Sequence, residues 1–267
     1  NLRTEQLPRG GVVVVTSAGP LQFGLPPETI KDSMGGEHGV PNVFVLTPTF
    51  FDYARGVSFA EAEFPLFYNF FLQQKRARLI CTASQRDRVE RIMQESLFGP
   101  REVDITDELP GSLSECPWAP ALRRELGHFR RSPIVGGREM VLSDLVEFIE
   151  FDVARRSVVI EGVTLSLTED GGFDLVDHVD GGARAHVSGR MHVPAPRSDA
   201  EIGRGLDATR PFSAPVFGVT TLGAGHGFDP AGRTTGFVVW VGGRGIMVDP
   251  PVDASHWLSE RGVSPRS

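Results

Sequence analysis

A pattern that occurs twice along the chain constrains the fold more than any other feature of the sequence. Each copy contains an apolar strand, a tight turn, a returning strand, a proline pair, a short helix and a Gly-Val segment that ends in proline. The proline pairs are residues 26–27 and 250–251, and the Gly-Val segments begin at Gly39 and Gly262. An internal repeat of this kind indicates that one scaffold is used twice.

The strand that follows the first Gly-Val segment carries the main functional hypothesis. Residues 43–46 form an apolar run that is typical of a buried strand, and Pro48 ends it. The chain then continues as a polar and aromatic loop that reaches Gly56.

This strand and loop resemble the metallo-β-lactamase fold, in which a strand ends in Thr-His-x-His-x-Asp-His-x-x-Gly and the loop carries most of the metal ligands. The chain keeps the Thr, Asp and Gly of this motif as Thr47, Asp52 and Gly56. The positions of the three histidines hold Pro48, Phe50 and Tyr53. Since none of these side chains supplies an imidazole nitrogen, the resemblance implies a degenerate metal loop, formed by Pro48, Phe50, Asp52 and Tyr53, that binds no metal.

Longer stretches resemble a bacterial group of metallo-β-lactamase-fold 3′,5′-cyclic-nucleotide phosphodiesterases. They are QFG-PPETIKD, EFP-FYNFFL, QESLFGP, GHGFDP and IMVDPPV, and the likeness covers most of the chain. The resemblance implies an α/β (α+β) fold of the metallo-β-lactamase type, an αββα sandwich, with a degenerate first copy followed by the start of a second. A metal-free half beside a metal-binding half is also similar to the long tRNA 3′-processing endonucleases of this fold.

The predicted division of the chain follows from the repeat and from composition. Residues 1–193 are predicted to form a degenerate metallo-β-lactamase-like domain that lacks metal ligands. Residues 194–215, rich in Pro, Arg and Asp, are predicted to be a linker. Residues 216–267 are predicted to be the opening hairpin and helix of a second, truncated domain. Because the chain starts with Asn1 rather than Met and stops at Ser267 on no obvious boundary, we expect a fragment at both ends. The second copy stops just before the strand equivalent to residues 43–46, so we expect the chain to be the N-terminal portion of a longer protein whose continuation carries the second metal loop.

The clearest helix signal covers residues 84–97, where four apolar side chains fall on one face. Ser84 followed three residues later by Asp87 predicts a capping box at its start. Gly99 and Pro100 predict its end.

The candidate site residues lie in the second copy. The resemblance implies that Asp249, at a strand end, supports the metal loop by hydrogen bonding without being a ligand. His226 lies in a glycine-rich loop with Gly225 and Asp229, which predicts a loop at the substrate cleft. The alternative is that His226 is an ordinary turn residue and that Asp229 begins a turn. No catalytic residue and no metal site are expected in this chain.

Three further histidines, His178, His186 and His192, lie in the β-rich region near Asp177. Their spacing does not require them to converge, so we interpret them as surface or structural residues rather than as a metal site.

The composition excludes several classes of function. A net charge of −7 argues against a nucleic-acid binder with a broad basic face. Only two cysteines occur, in no metal or redox spacing, which favours a reducing compartment and a cytoplasmic location. No apolar run approaches the ~18 residues that span a bilayer, so no membrane association is predicted.

The resemblance implies that the full-length protein is a metal-dependent phosphodiesterase, acting on a small phosphate ester such as cAMP or cGMP. A divalent metal pair (zinc, iron or manganese) is expected in that protein, whereas this chain alone is expected to bind none and to be inactive. Two alternatives stay open: a non-catalytic nucleotide- or protein-binding module, and another hydrolase of the same fold that acts on a lactone, thioester or RNA. A homodimer is one alternative for the assembly.

Overall fold

The computed structural model describes residues 1–26, 28–47, 63–99, 117–128, 132–152, 154–189, 212–229, 232–252 and 254–264. These residues form a mixed α/β fold with several sheets, which confirms the predicted class at that level. None of the helices in these ranges has the length and apolar character needed to cross a lipid bilayer.

The strands and helices alternate in the first half of the chain, and strands dominate the second. The strands are β1 (Arg3–Gln6), β2 (Val12–Thr16), β3 (Gly19–Phe23), β4 (Val43–Val45), β5 (Ala77–Cys81), β6 (Ile134–Val135), β7 (Arg138–Glu139), β8 (Val146–Glu150), β9 (Ser157–Ile160), β10 (Val163–Leu167), β11 (Phe173–Asp177), β12 (Ala183–Val187), β13 (Phe217–Gly223), β14 (Gly236–Val241) and β15 (Arg244–Val248). The helices are α1 (Thr29–Met34), α2 (Glu63–Phe67), α3 (Ala83–Phe98), α4 (Ala119–His128), α5 (Leu142–Leu145) and α6 (Ala254–Glu260), and α2 continues into a π-helical segment, Tyr68–Leu72.

The first sheet has six strands in the order β1-β2-β3-β4-β5-β8. β1, β2 and β3 run antiparallel, whereas β3, β4, β5 and β8 run parallel. All three residues of β4 are buried, as expected for a central parallel strand that is covered on both faces. One face packs against α2, α3 and α5 through apolar side chains, among them Leu66, Val89, Met93 and Leu145.

The other face of the first sheet is covered by a second sheet. This sheet is an antiparallel arrangement of β9, β10, β11 and β12, and a turn at residues 169–172 joins β10 to β11. Phe23 of the first sheet packs on Phe173 of the second, with ring centroids 5.2 Å apart. The apolar side chains between the two sheets form one core, so this half of the chain has helices on one side of the first sheet and a sheet on the other.

Asp177, at the end of β11, fastens the second sheet to the turn between β2 and β3. Its Oδ2 accepts the backbone N–H of Ser17 and its Oδ1 accepts the Ser17 hydroxyl, both at 2.7 Å. Oδ1 also accepts the backbone N–H groups of Val179 and Asp180 at 3.0 Å. The hydrogen bond from the Ser17 N–H is the largest of the causes that lower the pKa of Asp177 to about 2.

The third sheet contains β13, β14 and β15, all antiparallel. α6 covers one of its faces, where Trp240 and Val238 pack on Trp257 and Leu258. Phe212 and Ala214, which the sequence assigns to the end of the linker, also pack on this core, together with Val263.

The helix α3 begins earlier than predicted. Its N-cap is Thr82, whose hydroxyl accepts the N–H of Gln85 while the Gln85 side chain accepts the N–H of Thr82. The prediction of Ser84 and Asp87 as the capping pair is therefore wrong. The reason is that Thr82, at the end of β5, keeps the extended conformation of the strand, as an N-cap requires.

The hairpins β2–β3 and β14–β15 share an unusual feature. A Cβ atom on Gly11 would lie 2.9 Å from the carbonyl oxygen of Phe23, and a Cβ atom on Gly236 would clash with the carbonyl oxygen of Asp249. The residue after each hairpin is left-handed, with φ of 82° at Gly24 and 46° at Asp249. Each hairpin leads through prolines into a short helix, α1 or α6, so the two copies of the sequence pattern have the same local structure.

We expect Asp177→Asn to lower the stability of the folded chain and to change its acid unfolding. Because the pKa of Asp177 is about 2 in the folded state against an ordinary value of 3.8, its contribution is complete above about pH 4 and is lost as the pH falls towards 2. Urea unfolding followed by circular dichroism between pH 7 and pH 2 measures this difference. The Asp177→Asn variant should be less stable at pH 7 and should lose less stability over the acid range than the natural chain.

The matched control is Asp180→Asn, which changes the net charge equally at an exposed position. Equal stability profiles for the two variants would contradict the role assigned to Asp177.

Candidate functional site

Three segments meet at the carboxyl ends of the parallel strands β3 and β4, which is where ligands bind in open α/β sheets. The first is the start of α1, and the second is the start of α2. The third is the His226 loop (residues 223–229) with the returning segment 232–235. Two contacts across the halves define the meeting point: the rings of Phe64 and Phe228 are 5.7 Å apart, and the Thr234 hydroxyl donates to Glu28 at 3.0 Å.

The two sides of the His226 loop lie close together. The Gly225 N–H donates to the Arg233 carbonyl at 2.7 Å, and the Thr235 N–H donates to the Gly225 carbonyl at 2.8 Å. A Cβ atom on Gly225 would be 2.7 Å from the Arg233 carbonyl oxygen, so glycine is required at that position. The loop is therefore a narrow extension of the β13–β14 hairpin.

The imidazole of His226 is exposed at the tip of this loop. Its Nδ1 accepts the backbone N–H of Phe228 at 3.1 Å, so in the neutral ring the proton is on Nε2. The Asp229 N–H donates to the His226 carbonyl at 3.1 Å, which closes a turn. The residue is thus a turn residue, as the alternative interpretation states, and it also presents an Nε2–H donor to the surface.

A buried ion pair holds the His226 loop to the first half of the chain. The Lys31 ammonium donates to Glu28 Oε1 at 2.8 Å, and the same oxygen accepts the Thr234 hydroxyl. The Lys31 side chain is only 1% exposed and the Glu28 side chain 16%. A buried ammonium needs a paired anion, because an uncompensated charge in the interior is strongly destabilising. Lys31 Nζ also lies 3.4 Å from the carbonyl oxygen of Gly232.

A second ion pair fixes α1 to the segment between β1 and β2. Asp32, whose side chain is 2% exposed, accepts the backbone N–H of Arg9 at 2.9 Å and pairs with its guanidinium group. The guanidinium Nε is also 3.6 Å from Glu28 Oε2. Two cations and two anions therefore share this region with no net charge.

The backbone at Glu28 is strained. Its φ of 59° is left-handed, and its side chain makes no capping hydrogen bond to α1. A non-glycine residue in this conformation is maintained by its surroundings. Instead of capping the backbone of α1, the Glu28 carboxylate binds the Lys31 ammonium on that helix and the Thr234 hydroxyl of the second half.

Asp249 follows β15 and lies at the same end of the third sheet as the His226 loop. Its φ of 46° is left-handed, and the equivalent position after the first hairpin is Gly24. The Asp249 side chain is exposed. Asp249 therefore bears a backbone strain that glycine avoids at the equivalent position of the first copy.

The structure brings four of the predicted site residues to one end of the third sheet: Gly225, His226, Asp229 and Asp249. The degenerate metal-loop positions Pro48, Phe50, Asp52 and Tyr53 lie outside the described residues. Glu28, Lys31 and Thr234 were not among the candidates. In the sequence they are marked only by the charged residues Glu28 and Lys31, which lie three positions apart just after the proline pair at 26–27.

The described residues do not bring together a set of metal ligands. No group of three or more His, Cys, Asp or Glu side chains with suitable geometry occurs among them. His178 Nε2 is 2.9 Å from the Thr164 hydroxyl, and His186 Nδ1 is 2.8 Å from Asp174 Oδ1, so these histidines have separate partners. His192 lies outside the described residues. The residues that the structure describes therefore do not fit a metal pair.

Comparison with known proteins relates the chain to cyclic-nucleotide phosphodiesterases. It is 27% identical over 382 aligned residues to cGMP-dependent 3′,5′-cGMP phosphodiesterase A of Dictyostelium discoideum, covering 98% of this chain and 43% of that protein. It is 27% identical over 290 residues to cAMP/cGMP-dependent 3′,5′-cAMP/cGMP phosphodiesterase B of the same organism, covering 91% of this chain and 26% of that protein. The chain thus spans less than half the length of these relatives. No protein-family model and no solved structure matches it.

We expect Thr234→Val to loosen the His226 loop. The change keeps the side-chain shape but removes the hydroxyl that donates to the partly buried Glu28 carboxylate, which should lower the free energy of unfolding by about 1–2 kcal/mol. Hydrogen exchange monitored by mass spectrometry should show faster exchange in residues 223–229.

Thr221→Val is the matched control, because Thr221 is exposed on β13. If both variants exchange equally over residues 223–229, Glu28 does not hold the loop through Thr234.

Proposed function

We propose that this chain is the N-terminal part of a phosphodiesterase that hydrolyses 3′,5′-cyclic nucleotides. The observation that carries the proposal is the similarity to two cyclic-nucleotide phosphodiesterases over nearly the whole chain. The substrate class is the small cyclic phosphate ester in the names of both relatives. A cytoplasmic location and a homodimeric assembly stay predictions.

The arrangement of the first two sheets supports the proposed fold. An αββα sandwich has four layers, namely helices, a sheet, a second sheet and helices. The first sheet has helices on one face and an antiparallel sheet on the other, so the described residues supply one helix layer and both sheets. We propose that residues 1–193 are the degenerate copy and that residues 216–267 open a second copy. The shared geometry of the hairpins β2–β3 and β14–β15 supports the repeat.

The metal pair expected from the resemblance is assigned to the longer protein. The described residues do not fit it, and the sequence has no imidazole at Pro48, Phe50 or Tyr53. No step through a metal is therefore attributed to this chain.

The contribution of this chain is to position the edge of a substrate site. The Glu28 carboxylate and the Phe64 ring hold the segment 232–235 and the His226 loop. The His226 Nε2–H is a donor that suits an anionic phosphoryl oxygen, and the adjacent glycines let the substrate approach the backbone closely. To Asp249, at the same end of the sheet, we assign the role of a carboxylate that accepts hydrogen bonds from a neighbouring loop of the longer protein.

A non-catalytic nucleotide-binding module is the second candidate. The observation that supports it is the exposed His226 imidazole, whose Nδ1 accepts the Phe228 N–H and whose Nε2–H is a donor for a phosphate oxygen. Such a module would use the same His226 loop to bind a phosphate without breaking it.

The two candidates are distinguished by an activity assay on the chain 1–267 and on the full-length gene product. Both are tested against cAMP, cGMP and bis-p-nitrophenyl phosphate, with the metal content of each measured. We expect hydrolysis of a cyclic nucleotide by the full-length product and none by the chain 1–267. A full-length product that binds cyclic nucleotides without hydrolysing them supports the module, whereas stoichiometric zinc and turnover in the chain 1–267 contradict its assignment as an inactive part.

Asp249→Gly tests the role of the carboxylate in the same assay. Because glycine adopts a left-handed φ without strain, the variant of chain 1–267 should have a free energy of unfolding equal to that of the natural chain or higher by up to about 1 kcal/mol. In the full-length product it should lower the rate of hydrolysis by about 10- to 100-fold.

The matched control is Glu161→Gly, because Glu161 has the same φ of 46° in the turn between β9 and β10. An equal effect of both variants on the rate would show that the Asp249 carboxylate has no role.

A further inference from the structure

One face of the third sheet is apolar and exposed. Phe217, Val219 and Ile246 on this face are 80%, 63% and 69% exposed. The strand register places further apolar residues beside them on the same face, namely Phe237, Val239, Val241 and Val248. A contiguous apolar surface of this kind is a mark of an interaction site in a soluble protein.

The opposite face of the same sheet packs against α6 through residues of β13 and β14. Leu222, Val238 and Trp240 point to that side and are buried against α6. The Trp240 indole N–H donates to the Thr220 hydroxyl at 2.9 Å, so its polar group is also satisfied. The third sheet therefore has one packed face and one unpacked face among the described residues.

The first copy shows what covers the equivalent face. Matching the hairpins at Gly11 and Gly236 places Val14, Leu21 and Phe23 at the positions of Val239, Ile246 and Val248. All three residues of the first copy are buried, with exposures of 0% to 1%. They pack against apolar side chains of β9, β10, β11 and β12. In the first copy this face is thus the inner surface of a two-sheet sandwich.

The edge of the third sheet formed by β15 corresponds to the edge of the first hairpin formed by β3. β3 pairs on that edge with the parallel strand β4. In the part of the chain that the structure describes, no strand pairs with the corresponding edge of β15, and all five of its residues are exposed. An exposed apolar edge strand is a template for pairing with another strand.

We infer that the exposed face of the third sheet docks a β-sheet, packed face to face as β9–β12 pack on the first sheet, and that the longer protein supplies it. In the first copy the covering sheet follows its hairpin and helix in sequence. The same order would place the second covering sheet after α6. The inference rests on the proposed function in one respect, namely that the chain is part of a longer protein, as the coverage of its relatives suggests.

Val219→Lys tests the docking, and Val159→Lys is its control. Both valines lie within a strand and are 63% and 64% exposed, but Val159 is on β9, away from the face. In the chain 1–267 both variants should fold and melt like the natural chain, since lysine at an exposed position buries no charge. In the full-length gene product only Val219→Lys should lower the melting temperature, because it places a charge between packed sheets.

Hydrogen exchange supplies a second measurement that needs no variant and no activity. Amides of β15 should exchange at least about tenfold more slowly in the full-length product than in the chain 1–267, because a covering sheet and a pairing strand protect them. These readouts are independent of hydrolysis, so an inactive protein with a protected β15 would overturn the proposed function alone.

Three results would overturn the docking inference. The first is a full-length product in which Val219→Lys is as harmless as Val159→Lys and β15 stays unprotected. The second is a gene product that ends at Ser267. The third is a dimer, seen by analytical ultracentrifugation in both proteins, that Val219→Lys converts to a monomer, since a second copy would then be the occupant.

Discussion

The close passage of the chain across its own hairpin is the constraint on which the rest of the structure depends. After β3 and after β15 the backbone turns through a left-handed residue and crosses the first strand of the hairpin so closely that only glycine fits there, at Gly11 and Gly236. This turn directs the prolines and the following helix over one face of the sheet. The two copies of the pattern share this turn but differ in one residue, because Asp249 stands where the first copy has Gly24.

The two halves of the chain are joined by electrostatics as well as by apolar packing. The strained Glu28 carboxylate binds the buried Lys31 ammonium within its own half and the Thr234 hydroxyl across to the other. Such a pair contributes little net stability, because desolvation offsets attraction, but it fixes the relative position of the groups it joins. In this molecule those groups carry the His226 loop, so the first half, although it lacks metal ligands in its loop sequence, determines where the candidate site lies.

The sequence predicted what depends on local pattern. The buried strand at residues 43–46, the hairpin turns and the short helix after the proline pair all follow from apolar runs bounded by turn residues. The capping pair of α3 was assigned two residues late, because the strand β5 ends directly at the cap. The Glu28–Thr234 contact was not predictable, since it joins residues far apart in sequence and depends on how the third sheet meets α1. The positions at Pro48, Phe50, Asp52 and Tyr53 stay predictions from the motif alone.

Whether one scaffold occurs twice is best decided by backbone NMR of residues 1–267, with cross-strand NOEs for the strand register and three-bond couplings for φ. We expect residues 11–26 to match residues 236–251 strand for strand, with Gly24 and Asp249 both left-handed and Asp249 at the end that carries the His226 loop. A shifted strand register in β14–β15, or a right-handed Asp249 with a different path into α6, would contradict it.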